Sequence, residues 1–118
     1  AYDRALRFSP ERTRWRVRNN YARTLERFGH SADAIQQFKL SLAQLPDQDY
    51  MRGELIVTYL VAGDYRAAAV QADTAISRGG NVVAYSALRA MADSAARSGA
   101  PAGSVKIGLV RGNVRADR

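Results

Sequence analysis

The chain has 118 residues, of which 47% are apolar and 25% charged, values that suit one folded domain with a modest core. It contains no cysteine, which excludes disulfide bonds and thiolate metal sites, and its single histidine excludes a pair of histidine ligands. No apolar run approaches the roughly 18 residues that a membrane-spanning helix needs. The formal net charge of +7 is uneven, because residues 1–30 hold eight arginines and three acids while residues 31–110 are balanced.

Helical periodicity is clear from residue 15 onward, in a unit that covers residues 15–48. An apolar stripe at helical spacing predicts its first helix, with the members Val17, Tyr21, Leu25 and Phe28. Gly29 breaks this helix, and a second apolar face follows before Pro46 ends it, because proline cannot continue a helix. The unit therefore predicts two antiparallel helices.

Residues 49–82 repeat this plan, so that position 49 is equivalent to position 15 and each later position follows in the same register. Equivalent positions agree in size and polarity along most of the unit, in the pairs Arg18 and Arg52, Tyr21 and Leu55, Leu25 and Tyr59, Gly29 and Gly63, Ala34 and Ala68, and Leu42 and Ile76. A single register that aligns both faces of both helices indicates an internal repeat rather than two unrelated helix pairs.

These residues resemble the tetratricopeptide repeat family (TPR), whose units are helix pairs of about 34 residues. The first unit carries the resemblance in Tyr21, Ala22, Leu25, Ala34, Phe38 and Pro46, and the second in Leu55, Tyr59, Ala68 and the Gly63-Asp64-Tyr65 turn. The sequence departs from the family where Arg18 and Arg52 replace tryptophan, Ile56 a small residue and Ala72 an aromatic one. The resemblance implies an all-α, TPR-type antiparallel helix-pair solenoid whose first helices line a concave groove.

The pattern extends beyond the two full units, so the expected array covers residues 1–98. Residues 1–12 match the end of a second helix, with Tyr2 and Pro10 equivalent to Phe38 and Pro46, as a half repeat that needs further repeats or another chain to cover it. Residues 82–98 predict a capping helix, which Gly99 and Pro101 end.

The tail, residues 99–118, is rich in glycine and alternates apolar and polar residues. Its apolar positions Val105, Ile107 and Leu109 have the period of two that is typical of an extended segment. Three interpretations remain open here: a tail ordered only by local packing, a segment that docks on its own groove or on a partner, and a strand of another domain.

The residues that catalysis would require are missing from the sequence. His30 falls in a predicted turn with no second histidine or cysteine near it, and no glycine-rich stretch carries the Lys-Ser/Thr of a phosphate-binding loop. Serine has no histidine at a plausible position to activate it. We therefore expect no catalytic residue, no metal and no cofactor.

Candidate binding residues lie on the predicted first helices. One basic face carries Arg12, Arg16, Asn20, Arg23 and Arg27, with Asn19 beside it. Arginine and asparagine there suit carboxylates or phosphates through forked hydrogen bonds. An apolar patch on the next two first helices carries Tyr50, Val57, Leu60, Val61 and Met91. A solvated helix face and packing against the tail are the alternatives.

The sequence thus predicts a protein–protein interaction or scaffolding module, a part or subunit of a larger assembly, that binds an acidic or extended segment of another protein. The alternative is electrostatic binding to an anionic surface, either lipid head groups or nucleic acid. Nucleic acid is disfavoured because only Trp15 interleaves with the arginines to stack on bases. The compartment is not fixed, and the periplasmic and cytoplasmic faces of a membrane-associated assembly both fit.

Overall fold

The computed structural model describes residues 2–8 and 10–105, and the predicted tail residues Ile107 and Leu109 lie outside this part of the chain. The described residues form six α-helices and a 3-10 turn at Glu11–Thr13. The helices are α1 (Tyr2–Phe8), α2 (Arg14–Arg27), α3 (Ser31–Gln44), α4 (Asp49–Ala62), α5 (Tyr65–Ser77) and α6 (Val82–Ser98). No strand occurs within the described ranges, so the predicted all-α class is confirmed.

Neighbouring helices pack in pairs within two compact units, residues 1–52 (unit 1) and 53–118 (unit 2). In unit 1, α2 packs against α3 and α1 packs against α2, whereas in unit 2 the main pair is α5 and α6. The division falls inside α4, whose first turn belongs to unit 1, whereas the sequence pattern placed the repeat boundary after residue 48.

The hairpin turns before α3 and before α5 have the same construction. Gly29 (φ 81°) and Gly63 (φ 84°), which are equivalent in the predicted repeats, both adopt the left-handed backbone that glycine tolerates best. In the first turn the His30 N–H donates to the Leu25 oxygen at 2.8 Å, and the equivalent bond after Gly63 measures 3.0 Å. Each bond satisfies a carbonyl at the end of a helix and lets the chain reverse into the next one.

Small buried residues bring α2 and α3 together in unit 1. Its fully buried side chains are Ala22, Ala34, Phe38 and Ser41. The N-terminal helix α1 has no buried residue of its own and is held by Tyr2. The Tyr2 ring stacks on Tyr21 with centroids 4.6 Å apart, and its hydroxyl hydrogen-bonds to the Thr24 hydroxyl at 2.8 Å. Unit 1 thus uses one tyrosine pair to attach the predicted half repeat.

In unit 2 the buried positions of α5 are mostly alanine, which lets a neighbouring helix approach closely. The side chains with at most 1% exposure are Leu55, Ile56, Thr58, Leu60, Ala68, Ala72, Ala75 and Ala92. Asn81 begins α6 by accepting the Ala84 N–H at 3.0 Å, and Gly99 ends it in the left-handed conformation (φ 66°). The predicted helix over residues 82–98 therefore has a specific start and stop.

Candidate functional site

The basic face predicted from the sequence lies on the 3-10 turn and α2 of unit 1. Its five side chains are all exposed: Arg12, Arg16, Asn20, Arg23 and Arg27. Within residues 2–8 and 10–105, none of the four arginines of this face forms an ion pair, whereas Arg89 pairs with Asp73 and Asp93. The positive charge of this face is therefore not neutralised within the described part of the chain.

Two of these arginines lie over aromatic rings. The Arg16 guanidinium is 5.1 Å from the centroid of the Trp15 ring, and the Arg23 guanidinium is 5.1 Å from that of Tyr50 at the start of α4. Cation–π contacts at exposed sites contribute about 0.5–1 kcal/mol each. They restrict the long side chains and leave the N–H groups at the guanidinium edge available to an acceptor.

The two stacked arginines border a shallow pocket of about 320 Å³ in unit 1, here called the unit 1 pocket. Its lining residues are Trp15, Arg16, Asn19, Asn20, Arg23 and Met51. The structure therefore brings together four of the predicted binding residues, adds Trp15 and Met51, and leaves Arg12 and Arg27 on the same helical face outside the pocket lining.

Asn19 differs from the other lining residues because it is only 8% exposed. Its Nδ2 donates to Gln48 Oε1 at 2.8 Å, whereas its Oδ1 is buried and accepts no hydrogen bond from any residue that the structure describes. Gln48 in turn donates from Nε2 to Leu45 O at 2.7 Å and to Ser41 O at 3.1 Å. Gln48 was not among the predicted residues, because a glutamine in the α3–α4 loop, far from Asn19 along the chain, carries no local signal.

The predicted apolar patch is exposed only in part. Tyr50 and Val61 are 37% and 38% exposed and Met91 is half-buried, but Val57 is only 7% exposed and Leu60 has no exposed surface. Tyr50 belongs to unit 1, and the other four residues belong to unit 2. Of these residues, Val61 and Tyr50 keep the largest exposed fractions, and the Tyr50 ring is already in contact with Arg23.

The start of the tail is attached to unit 2. The Tyr65 hydroxyl donates to Ala100 O at 2.8 Å, and the Gly103 N–H donates to Val61 O near the end of α4 at 3.0 Å. Val105, the last described residue, is half-buried. The tail positions Ile107 and Leu109 lie outside the described residues, so their docking remains a prediction.

A second pocket, of about 430 Å³, lies between α5 and α6. Arg89 crosses it, hydrogen-bonded to Asp73 and with its Nε 3.4 Å from Asp93 Oδ2. The hydrogen bond from Arg89 to Asp73, together with the attraction between their charges, raises the pKa of Arg89 above its already high usual value. Arg89 therefore stays charged and is paired with carboxylates, unlike Arg16 and Arg23 of the unit 1 pocket.

His30 is exposed in the turn before α3. Within residues 2–8 and 10–105, no three His, Asp or Glu side chains converge as metal ligands would. Over the same ranges, none of the helices combines the length and the apolar character needed to cross a bilayer. Comparison with protein-family models, with characterised proteins and with solved structures gave no match to this chain.

Proposed function

We propose that this chain is a TPR-type helix-pair solenoid that acts as a protein-interaction module and holds an acidic, extended segment of a partner protein. The repeat is supported by the matching glycine turns and by Ala34 and Ala68, which occupy equivalent positions and are both fully buried. The second helices of the two repeats begin at Ser31 and Tyr65, which are equivalent in the same register. Repeats of this kind bury their faces only by stacking and offer extended binding surfaces.

The observation that carries the proposal is the pair of uncompensated guanidinium groups at the unit 1 pocket. Within the described part of the chain, Arg16 and Arg23 each contact an aromatic ring and no carboxylate, so an incoming acidic group does not have to displace an ion pair there. A charge-assisted hydrogen bond contributes about 1.5–3 kcal/mol. Two arginines converging on one pocket can therefore hold one carboxylate with useful affinity.

The alternative is diffuse attraction to an anionic surface such as lipid head groups or nucleic acid. That mode depends on total positive charge and weakens steeply with salt, whereas recognition by stacked arginines depends on which arginines are present. Variants of equal charge therefore distinguish the two functions. One variant loses two arginines at the pocket, and the other loses two exposed arginines elsewhere on the chain.

Selection of random peptides displayed on phage against the full chain tests the proposal. We expect acidic peptides to be enriched, and calorimetry on the best of them to show about 100-fold weaker binding to the double variant Arg16→Gln/Arg23→Gln, about tenfold for each arginine. The control is Arg78→Gln/Arg97→Gln, which has the same net charge and alters two exposed residues of unit 2. This control should bind within about twofold of the native chain.

Two results would refute the proposal. One is a selection without enrichment of acidic sequences. The other is an equal loss of affinity in both double variants, together with a steep decrease on raising the salt concentration, which would assign the function to an anionic surface. Sedimentation with phosphatidylserine vesicles and a DNA duplex would then identify which surface is bound.

A further inference from the structure

The orientation of the Asn19 amide is fixed by the residues behind it. Gln48 places its Nε2 near three acceptors, Leu45 O, Ser41 O and Ser41 Oγ, so this atom is the amino group and Oε1 faces Asn19. Asn19 therefore turns its own amino group toward Gln48. Flipping the Asn19 amide alone would place two acceptor oxygens against each other, and flipping the Gln48 amide alone would place two amino groups against each other. With the amides as they stand, Asn19 Oδ1 is the atom without a partner.

Asn19 Oδ1 is an unusual feature of an otherwise satisfied network. Ser41 is fully buried and donates from Oγ to Trp15 O at 3.3 Å, so the side chains of Gln48 and Ser41 are both engaged. Buried acceptors without a hydrogen bond are uncommon in folded proteins and call for an explanation. A hydrogen-bond donor supplied by a ligand would provide the missing bond.

We infer that the unit 1 pocket recognises a carboxylate together with a neighbouring main-chain N–H of an extended partner segment. Arg16 and Arg23 hold the carboxylate, and Asn19 Oδ1 accepts the N–H. This inference rests on the proposed function and specifies the chemical group that the interaction module reads. An aspartate or glutamate in an extended peptide carries both groups within one residue, whereas a bare phosphate offers acceptors alone.

The geometry also predicts a signal for binding. Asn19 Oδ1 is closed to solvent, so a donor reaches it only when a lining side chain moves. Arg16 is exposed, and its guanidinium lies on the ring of Trp15, the only tryptophan of the chain. Capture of a carboxylate by Arg16 should therefore change the Trp15 fluorescence emission.

The probe is a short peptide of alanine and serine with one central glutamate and blocked ends. Three analogues test the two contacts: one with glutamine in place of glutamate, and two in which an ester replaces the amide N–H on one or the other side of the glutamate. We expect a titration followed by Trp15 emission to show at least tenfold weaker binding of the glutamine peptide and about tenfold weaker binding of one ester.

Combining the ester peptides with the variant Asn19→Ala in a double-mutant cycle tests whether Asn19 accepts the main-chain N–H. With Asn19→Ala, the sensitive ester and the parent peptide should bind equally, because the acceptor is gone. The control Asn20→Ala changes an exposed neighbour in the same pocket and should keep the tenfold difference. Circular dichroism verifies that each variant is folded. The comparison of the peptides on the native chain does not depend on any protein variant.

The inference is overturned if the glutamate peptide does not bind, if the glutamine peptide binds equally well, or if neither ester weakens binding to the native chain. A tenfold ester effect that persists in Asn19→Ala would also overturn it, because another group would then accept the N–H. In each of these cases, acidic phage peptides whose binding requires Arg16 and Arg23 would leave the proposed function intact.

Discussion

Replacing Gln48 with alanine removes a side chain that connects three parts of unit 1. Gln48 accepts from Asn19 on α2, and donates to Ser41 on α3 and to Leu45 at the end of that helix. Each hydrogen bond contributes about 0.5–1.5 kcal/mol net, and an abandoned buried donor costs about 1–3 kcal/mol. Because Gln48 is itself half-buried, water replaces part of the loss, and we expect Gln48→Ala to lower the free energy of unfolding by about 2 kcal/mol.

Urea denaturation followed by Trp15 fluorescence is the suitable assay, because Trp15 lies in unit 1 and reports on the unfolding of that unit. The control Gln36→Ala changes an exposed glutamine of α3 and should shift stability by less than about 0.5 kcal/mol. In a double-mutant cycle, Asn19→Ala and Gln48→Ala should cost less together than the sum of the single changes. A loss for Gln48→Ala no greater than that for Gln36→Ala, or strict additivity in the cycle, would refute this hydrogen-bond network.

Two further predictions concern unit 2. In thermal melts, Gly63→Ala should destabilise the chain by about 1 kcal/mol more than Gly29→Ala. Both glycines have a positive φ, but only a Cβ added at Gly63 would meet another residue, Ala102, at 3.0 Å. Equal losses of stability in the two variants would contradict that contact. Burial, and to a lesser degree the charge of Asp64, raise the pKa of the Tyr59 hydroxyl in the folded chain above its usual value of 10.0. The unfolded chain therefore loses this proton at a lower pH than the folded chain does, and the free energy of unfolding decreases as the pH rises above about 10. Tyr59→Phe should flatten that alkaline decrease in urea titrations, and an unchanged pH profile would contradict it.

Much of the fold could be predicted because its turns and close contacts require particular residues. Gly29 and Gly63 were placed in turns by the repeat register, and both have the left-handed backbone that makes glycine necessary there. Ala34 and Ala68 were aligned as equivalent positions by the same register, and both are fully buried. Local patterns of this kind depend on residues within one helical hairpin, so the sequence alone reveals them.

The contacts of Arg18 and Arg52 could not be predicted from local sequence patterns. Both occupy the position where the repeat pattern has tryptophan. Arg52 is only 8% exposed and donates from Nη2 to Pro46 O at 2.9 Å, while Arg18 donates to the Gln37 side chain at 3.1 Å. Each is at least partly buried and donates to a neutral acceptor, which a hydropathy pattern cannot anticipate.

The exposure of the apolar patch was equally hard to predict, for a different reason. Helix α4 is buried at every position from Leu55 to Leu60, including Thr58 and Val57. A helix surrounded on all sides has no amphipathic stripe, so periodicity does not separate core positions from binding positions. This explains why Leu60 is fully buried although it was predicted to face a partner.

Arginine content alone says little about function, since a biased coding sequence can raise it without any selection for binding. The contacts of the arginines separate those with a structural role from those available to a ligand. Arg52 and Arg89 are engaged within the chain, by a carbonyl oxygen and by two carboxylates respectively. Within the described residues, Arg16 and Arg23 contact aromatic rings and no carboxylate, and both line the same pocket as Asn19, whose Oδ1 is unsatisfied. Excess charge without selection would be expected to scatter over the surface. Its concentration beside a fixed, unpaired acceptor is therefore the stronger argument that this face binds a partner.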